Sequence, residues 1–168
     1  MTDEKTKILE TVNVNIAFEH MVFAVLTGAG VAGALTFMLS VGSAVIGGAF
    51  SFSVLLSAFL ETLLASFMVF LVGFFASVMI GAPLFVMLEK SKRRNAWPYL
   101  AAALAVALIV FSFMTGHLPL AEDFNIAVVA SIFIPAIVIA LTFARSMKPY
   151  WLAAAREEEI AQNIFRIH

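Results

Sequence analysis

The sequence predicts an all-α integral membrane protein: a four-helix transmembrane bundle followed by an amphipathic cytoplasmic C-terminal helix. Three observations predict this fold class. The chain is 62% hydrophobic and 12% charged, whereas a soluble domain averages about 45–50% apolar and about 25% charged residues. The apolar residues form long segments in which Glu61 is the one internal charge, and the basic residues lie outside these segments or at their ends. Such a chain has too few polar side chains to cover a surface in water, so lipid is the solvent that suits it.

The apolar segments define the individual spans. A hydrocarbon core of about 30 Å requires about 20 helical residues. The stretch from Met21 to Leu88 is too long for one span, and we divide it at Gly47-Gly48, where two glycines interrupt the helical pattern. Three spans within this stretch are the alternative, but they leave almost no residues for loops. The predicted spans are 18–46, 53–88, 96–116 and 124–145.

The positions of Lys and Arg predict the orientation. With four spans, every basic residue falls on the same side of the membrane. Short loops rich in Lys and Arg stay in the cytoplasm, so the N-terminal segment 1–17 and the tail 149–168 are both predicted to be cytoplasmic. We expect the membrane to be a bacterial inner (plasma) membrane. The basic residues are Lys5, Lys7, Lys90, Lys92, Arg93, Arg94, Arg145, Lys148, Arg156 and Arg166.

Small residues recur on one face of the first span and on one face of the second. Residues spaced by three or four positions share a helix face, and small residues there allow two helices in lipid to approach closely. The pattern predicts packing of the first two spans on each other, although an interface between copies or a groove for a partner would have the same pattern. The predicted helix-packing face comprises Ala29, Gly33, Thr36, Ser40, Gly73, Ser77 and Gly81.

The segment from Gly28 to Gly33 matches the G-x-G-x-x-G fingerprint of dinucleotide-binding proteins. That fingerprint binds a nucleotide only where it joins a strand to a helix within a βαβ unit. Here the glycines lie inside a predicted span, and no carboxylate follows about 20 residues later. The match therefore indicates helix packing rather than nucleotide binding.

Glu61 is the one charged residue between Met21 and Leu88, and it is the candidate functional residue. Ser53, Ser57 and Glu61 recur every four residues and therefore share a helix face, which we predict to be an intramembrane polar site. A carboxylate at membrane depth is unfavourable unless it is hydrated, protonated or paired. Three interpretations remain open: a solvated residue at the outer interface, a protonatable site in a polar cavity, and a contact with a partner subunit.

No pattern in the sequence predicts catalysis, a cofactor or a metal site. The chain has no Cys, and its histidines do not fall at one membrane depth, as a bis-His haem would require. A net charge of −1 gives no field that attracts nucleic acid. We therefore predict a non-catalytic membrane subunit or accessory protein that acts by association in the lipid bilayer, with a membrane protein or further copies of itself as partner. The alternative is a small oligomeric transporter or channel component that uses Glu61 as a proton- or cation-linked site.

The orientation is testable because the chain has no Cys of its own. We expect single cysteines introduced as Thr2→Cys and His168→Cys to react with a membrane-impermeant maleimide only when the cytoplasmic side is accessible. The physical reason is the one-sided distribution of Lys and Arg. Labelling of Thr2→Cys from outside intact cells would contradict the four-span arrangement.

Overall fold

The computed structural model describes residues 2–116 and 126–167, all of them in helices or in short connections, without a strand. Four segments are long and apolar enough to cross a membrane, as the sequence predicts, and the stretch from Met21 to Leu88 is divided between the first two of them. These segments are Val14–Ile46, Phe52–Lys90, Trp97–Thr115 and Ile126–Glu157. The helices are α1 (Thr2–Ile46), α2 (Phe52–Ala76), α3 (Ala82–Lys90), α4 (Trp97–Thr115) and α5 (Ile126–Ile167), with a π-helical turn at Ser77–Gly81.

The first helix is longer than predicted. Its backbone is helical from Thr2, so no structural boundary separates the predicted segment 1–17 from the first span. The sequence of this segment is compatible with either a strand or a helix. The helix continues because nothing between Thr2 and Met21 stops it: this segment contains neither Pro nor Gly.

The break between α1 and α2 falls at the predicted glycine pair. Gly48 has a φ of +67°, a left-handed conformation that glycine adopts without steric penalty. The backbone N–H of Ala49 donates to the carbonyl of Ala44, which closes the end of α1. Ser51 then accepts a hydrogen bond from the N–H of Val54 at 3.4 Å and caps α2. The two helices therefore form a hairpin, and we call its turn the hairpin end of the molecule.

The second predicted span, 53–88, is interrupted in a way that the sequence analysis did not anticipate. At the π-helical turn, the N–H of Ala82 donates to the carbonyl of Ser77, five residues earlier. The next residue, Pro83, has no N–H and would clash with the carbonyl four residues before it in a regular α-helix. A wider turn relieves that clash, which is a common origin of local helix distortion.

The predicted break between the fourth span and the tail is wrong. The span was expected to end at 145 and a separate helix to occupy 149–168, because Pro149 disfavours helix continuation. The structure instead has one helix, α5, which continues through both Pro135 and Pro149. Packing outweighs the lost hydrogen bond: Trp151, beyond Pro149, is buried and stacks on Tyr99 with ring centroids 6.0 Å apart.

Helix α1 lies at the centre, with α2 on one side and α5 on the other. A methyl group on Gly33 would overlap Ser66 Oγ of α2, and one on Gly28 would overlap Ile139 of α5. Gly73 of α2 is less tightly constrained: its Cβ would lie 3.2 Å from Val25 Cγ1, so Val25 would have to shift only slightly. Two of the three glycines of the fingerprint-like segment, Gly28 and Gly33, are thus helix-contact positions on different faces of α1, whereas Gly30 faces open space.

A hydrophobic cluster closes the end of the molecule at which α3 leads into α4, which we call the basic end after its loop, residues 90–94. The Tyr99 ring packs edge-on against Phe143, with centroids 5.0 Å apart, and Phe143 in turn contacts Phe85. Glu89 and Arg94 form an ion pair of 2.6 Å at this end. The members of this basic-end cluster are Ala17, Met21, Ala24, Phe85, Leu88, Tyr99, Phe143, Ala144, Met147 and Trp151.

The close contact of α1 with α2 predicts a difference between two neighbouring glycines. Gly33→Leu should lower stability by about 1–3 kcal/mol, because the added side chain has no space beside Ser66. Gly30→Leu is the matched control, since no atom lies within 4 Å of its Cβ position, and its effect should stay within about 0.5 kcal/mol. Thermal unfolding of the purified variants in one detergent measures both. Equal melting temperatures would rule out tight packing at Gly33.

Candidate functional site

An apolar groove lies between α4 and the second span, residues 52–90, which consists of α2, the π-helical turn and α3 and which we call the second rod. Its volume is about 680 Å³, within the range of about 300–1,000 Å³ typical of small-molecule sites. One wall is formed by α2 and the π-helical turn, the other wall by α4, and the floor by α1 and α5. Met68 on one wall and Ile109 on the other are 52% and 66% exposed, so the groove is open to the exterior between the two walls.

The groove exists because α4 is displaced from α2. Helix α4 packs on α5, where Phe111 contacts Phe133 with ring centroids 6.3 Å apart. It meets the second rod chiefly at the π-helical turn rather than along α2. Small side chains on both walls, including Gly73, Ala76 and Ala103, leave the intervening space open.

The groove is closed at the basic end. Leu84, Tyr99 and Phe143 line its last turn. Tyr99 and Phe143 belong to the basic-end cluster, and Leu84 packs against it. The contact between α4 and the π-helical turn lies at the same end. A molecule in the groove would therefore meet a packed aromatic surface there and could not pass through.

At the hairpin end, the groove opens next to Glu61. Thr36 of α1 and Ala65 of α2 line this end. One helical turn beyond them, and on the same faces, lie Ser40 and Glu61. The hydroxyl of Ser40 donates a hydrogen bond of 2.6 Å to Oε2 of Glu61. An exposed carboxylate that is hydrogen-bonded to the neighbouring helix thus lies one helical turn beyond the hairpin end of the apolar groove.

The predicted polar site is therefore assembled differently from the expected one. Ser53 shares a hydrogen bond of 2.9 Å with Ser51, and Ser57 donates to the carbonyl of Val54, so neither is seen to hold Glu61. The serine that does hold it, Ser40, was predicted only as a packing residue. The missed signal is the antiparallel hairpin, which places a residue shortly before the turn beside one shortly after it.

The predicted packing face divides into two groups. Gly33 and Gly73 lie at close helix contacts, and Ala29 is buried. A Cβ on Gly81 would make only ordinary contact, 3.6 Å from Met21 Sδ. Four members of the face line the groove: Thr36, Ser77, Gly81 and, in addition to its helix contact, Gly73.

Metal and cofactor ligands do not come together in the part of the chain that the structure describes. No group of three or more His, Asp or Glu side chains occurs there. His20 contacts the ring of Tyr150, with centroids 5.4 Å apart, near the basic end. His117, Glu122 and Asp123 lie outside the described residues, as do the side chains of the predicted amphipathic tail face from Ile160 onward.

No protein-family model matches this sequence, and no curated protein or solved structure is significantly similar to it. The function proposed below is therefore inferred from the groove, the carboxylate at its mouth and the apolar exterior.

Proposed function

We propose that this protein is a non-catalytic subunit of a bacterial inner membrane that acts by association, binding an apolar membrane component in its lateral groove. It crosses the bilayer four times and has both termini in the cytoplasm. The observation that carries the proposal is the groove itself, an apolar concavity of about 680 Å³ that opens sideways between α2 and α4.

The exterior supports a lipid environment. Large apolar side chains are exposed on every helix whose side chains are described; Ile46 and Phe113 are each 90% exposed, and Phe52 is 80% exposed. In water, surfaces of this kind would drive aggregation. In a bilayer they contact acyl chains, and only the internal contacts need small residues.

The length of α4 supports a full crossing. Its 19 residues span about 28 Å, close to the hydrocarbon thickness of about 30 Å. Trp97 at its start is 71% exposed, and Trp is enriched at the membrane interface. Beside it, residues 90–94 carry four of the chain's basic residues, which supports the cytoplasmic assignment of this end.

The chemistry of the groove supports binding rather than catalysis. The groove is lined almost entirely by aliphatic, aromatic and methionine side chains. Nucleophilic catalysis needs a nucleophile, a base and an orienting group in mutual contact, and the described lining does not bring such groups together. An apolar chain would gain packing contacts there without being chemically changed.

A second candidate, a transporter that uses Glu61 as a proton- or cation-linked site, is favoured by the position of that residue at the groove mouth. A transporter must reach both sides of the membrane in turn. Glu61 is exposed and does not line the groove, so it is not enclosed in a polar cavity, and for this reason we place binding first. Electrogenic uptake of a proton or cation by proteoliposomes that contain the purified protein would make transport the preferred function.

A large side chain introduced into the groove should block ligand binding, whereas one introduced outside it should not. A diazirine-bearing analogue of dodecanol, a neutral long-chain alcohol, should label groove-lining residues in nanodiscs, and unlabelled dodecanol should compete. Ala103→Phe should suppress this labelling, because the ring would occupy the space between the walls. Ala101→Phe is the matched control, since Ala101 is exposed and lies outside the groove. Mass spectrometry of peptides locates the label.

Two outcomes would contradict groove binding. The first is labelling confined to exposed lipid-facing positions. The second is groove labelling that excess dodecanol does not reduce or that both phenylalanine variants reduce equally.

A further inference from the structure

We propose that the groove and Glu61 together form a binding site for an amphiphilic cation, with its alkyl chain in the groove and its ammonium group at the carboxylate. This inference rests on the proposed function, because the groove must be open to the bilayer. It goes further by naming the chemical class of the ligand and the residue that recognises its head group.

The shape of the groove suits a single extended apolar chain. Its wall on the second rod runs from Ala65 to Leu84, a distance of about 28 Å at about 1.5 Å per residue. An elongated space with one open end and an open side admits a chain from the bilayer and buries it against Met68, Val72 and Val106. Burial of methylene groups against such walls supplies the non-specific part of the affinity.

The closed end argues against a transmembrane helix as the occupant. A partner helix that crosses the bilayer needs a groove that continues to both membrane surfaces. This groove ends on Leu84, Tyr99 and Phe143, where α4 and the π-helical turn meet. A ligand that ends inside the membrane, such as an alkyl chain, is compatible with that closure.

The charge at the mouth specifies the head group. In the sequence, no Lys or Arg lies between Met21 and Leu88, so the two helices that carry Ser40 and Glu61 provide no counter-charge at this depth. Among the described residues, the ion pair that is seen joins Glu89 to Arg94 at the basic end, away from Glu61. A carboxylate at the edge of an apolar space is stabilised by a cation, and an ammonium group on the groove ligand supplies one.

Ser40 positions the carboxylate for that contact. Its hydroxyl bonds Oε2 of Glu61 at 2.6 Å, and among the described residues no hydrogen bond is seen to Oε1. The bond joins α1 to α2 one helical turn beyond Thr36 and Ala65, which line the groove at its hairpin end. A protonated amine whose chain lies in the groove can therefore donate to Oε1 while Ser40 holds Oε2.

The experiment compares two ligands that have the same chain and different head groups. Dodecylammonium and dodecanol compete with the photoreactive dodecanol analogue for groove labelling in nanodiscs at pH 7, where an alkylamine is protonated. We expect dodecylammonium to compete at about fivefold lower concentration than dodecanol, as the stronger exposed ion pairs allow. Glu61→Gln should abolish this preference and leave competition by dodecanol unchanged.

Two further variants keep the result interpretable. Glu19→Gln removes an exposed carboxylate near the basic end and should retain the preference for the cation. Glu61→Asp keeps the charge and should retain part of that preference, which guards against a folding defect in the glutamine variant. Dodecyltrimethylammonium carries the charge but has no N–H to donate. It should compete better than dodecanol and less well than dodecylammonium.

The outcomes separate this inference from the proposed function. Equal competition by dodecylammonium and dodecanol, or a preference that persists in Glu61→Gln, would overturn the cation site while groove binding stands. No competition by either ligand would overturn both. If the protein forms a stable dimer and its groove takes up no label, the occupant of the groove is a second copy of the chain. That result would also overturn the inference.

Discussion

The architecture depends on how closely α1 approaches its two neighbours. Gly33 allows α2 to come within contact of the α1 backbone on one side, and Gly28 allows α5 to do so on another. In lipid, the hydrophobic effect contributes little to helix association, so close van der Waals packing must supply the favourable free energy. Both contacts would be lost with any larger side chain. The position of α1 thus depends on glycine at two positions, which allows α2 and α5 to pack closely against it.

The position of α4 follows from that arrangement. With α2 and α5 held against α1, α4 packs on α5 and reaches the second rod at the π-helical turn rather than along α2. The turn arises next to Pro83, so a proline that distorts one helix also fixes where the groove closes. The hairpin of α1 and α2 then brings Ser40 and Glu61 together at the opposite end of the groove. Groove, closure and charged mouth are consequences of the same helix packing.

The number of apolar spans was predictable because it depends on local properties: the length of the apolar segments and the glycine pair at 47–48. Features that depend on tertiary contacts were not. Pro149 does remove a backbone hydrogen bond, but the stacking of Trp151 on Tyr99 stabilises the continuous helix. Ser53 and Ser57 share a face with Glu61, yet their hydroxyls bond nearby groups on their own side of the hairpin. The partner of Glu61 lies on another helix, and a periodicity within one helix does not reveal it.

Binding of an apolar membrane component requires the space between α2 and α4 to be open to lipid and closed to water. Collision accessibility of a nitroxide at Val106, on the α4 wall of the groove, tests it most directly in liposomes. Leu108, on the same helix and outside the groove, provides the lipid-facing reference. We expect the Val106 nitroxide to be as accessible to oxygen as the reference and inaccessible to a water-soluble nickel chelate. High accessibility to the nickel chelate, or protection from both reagents, would contradict a lipid-facing groove.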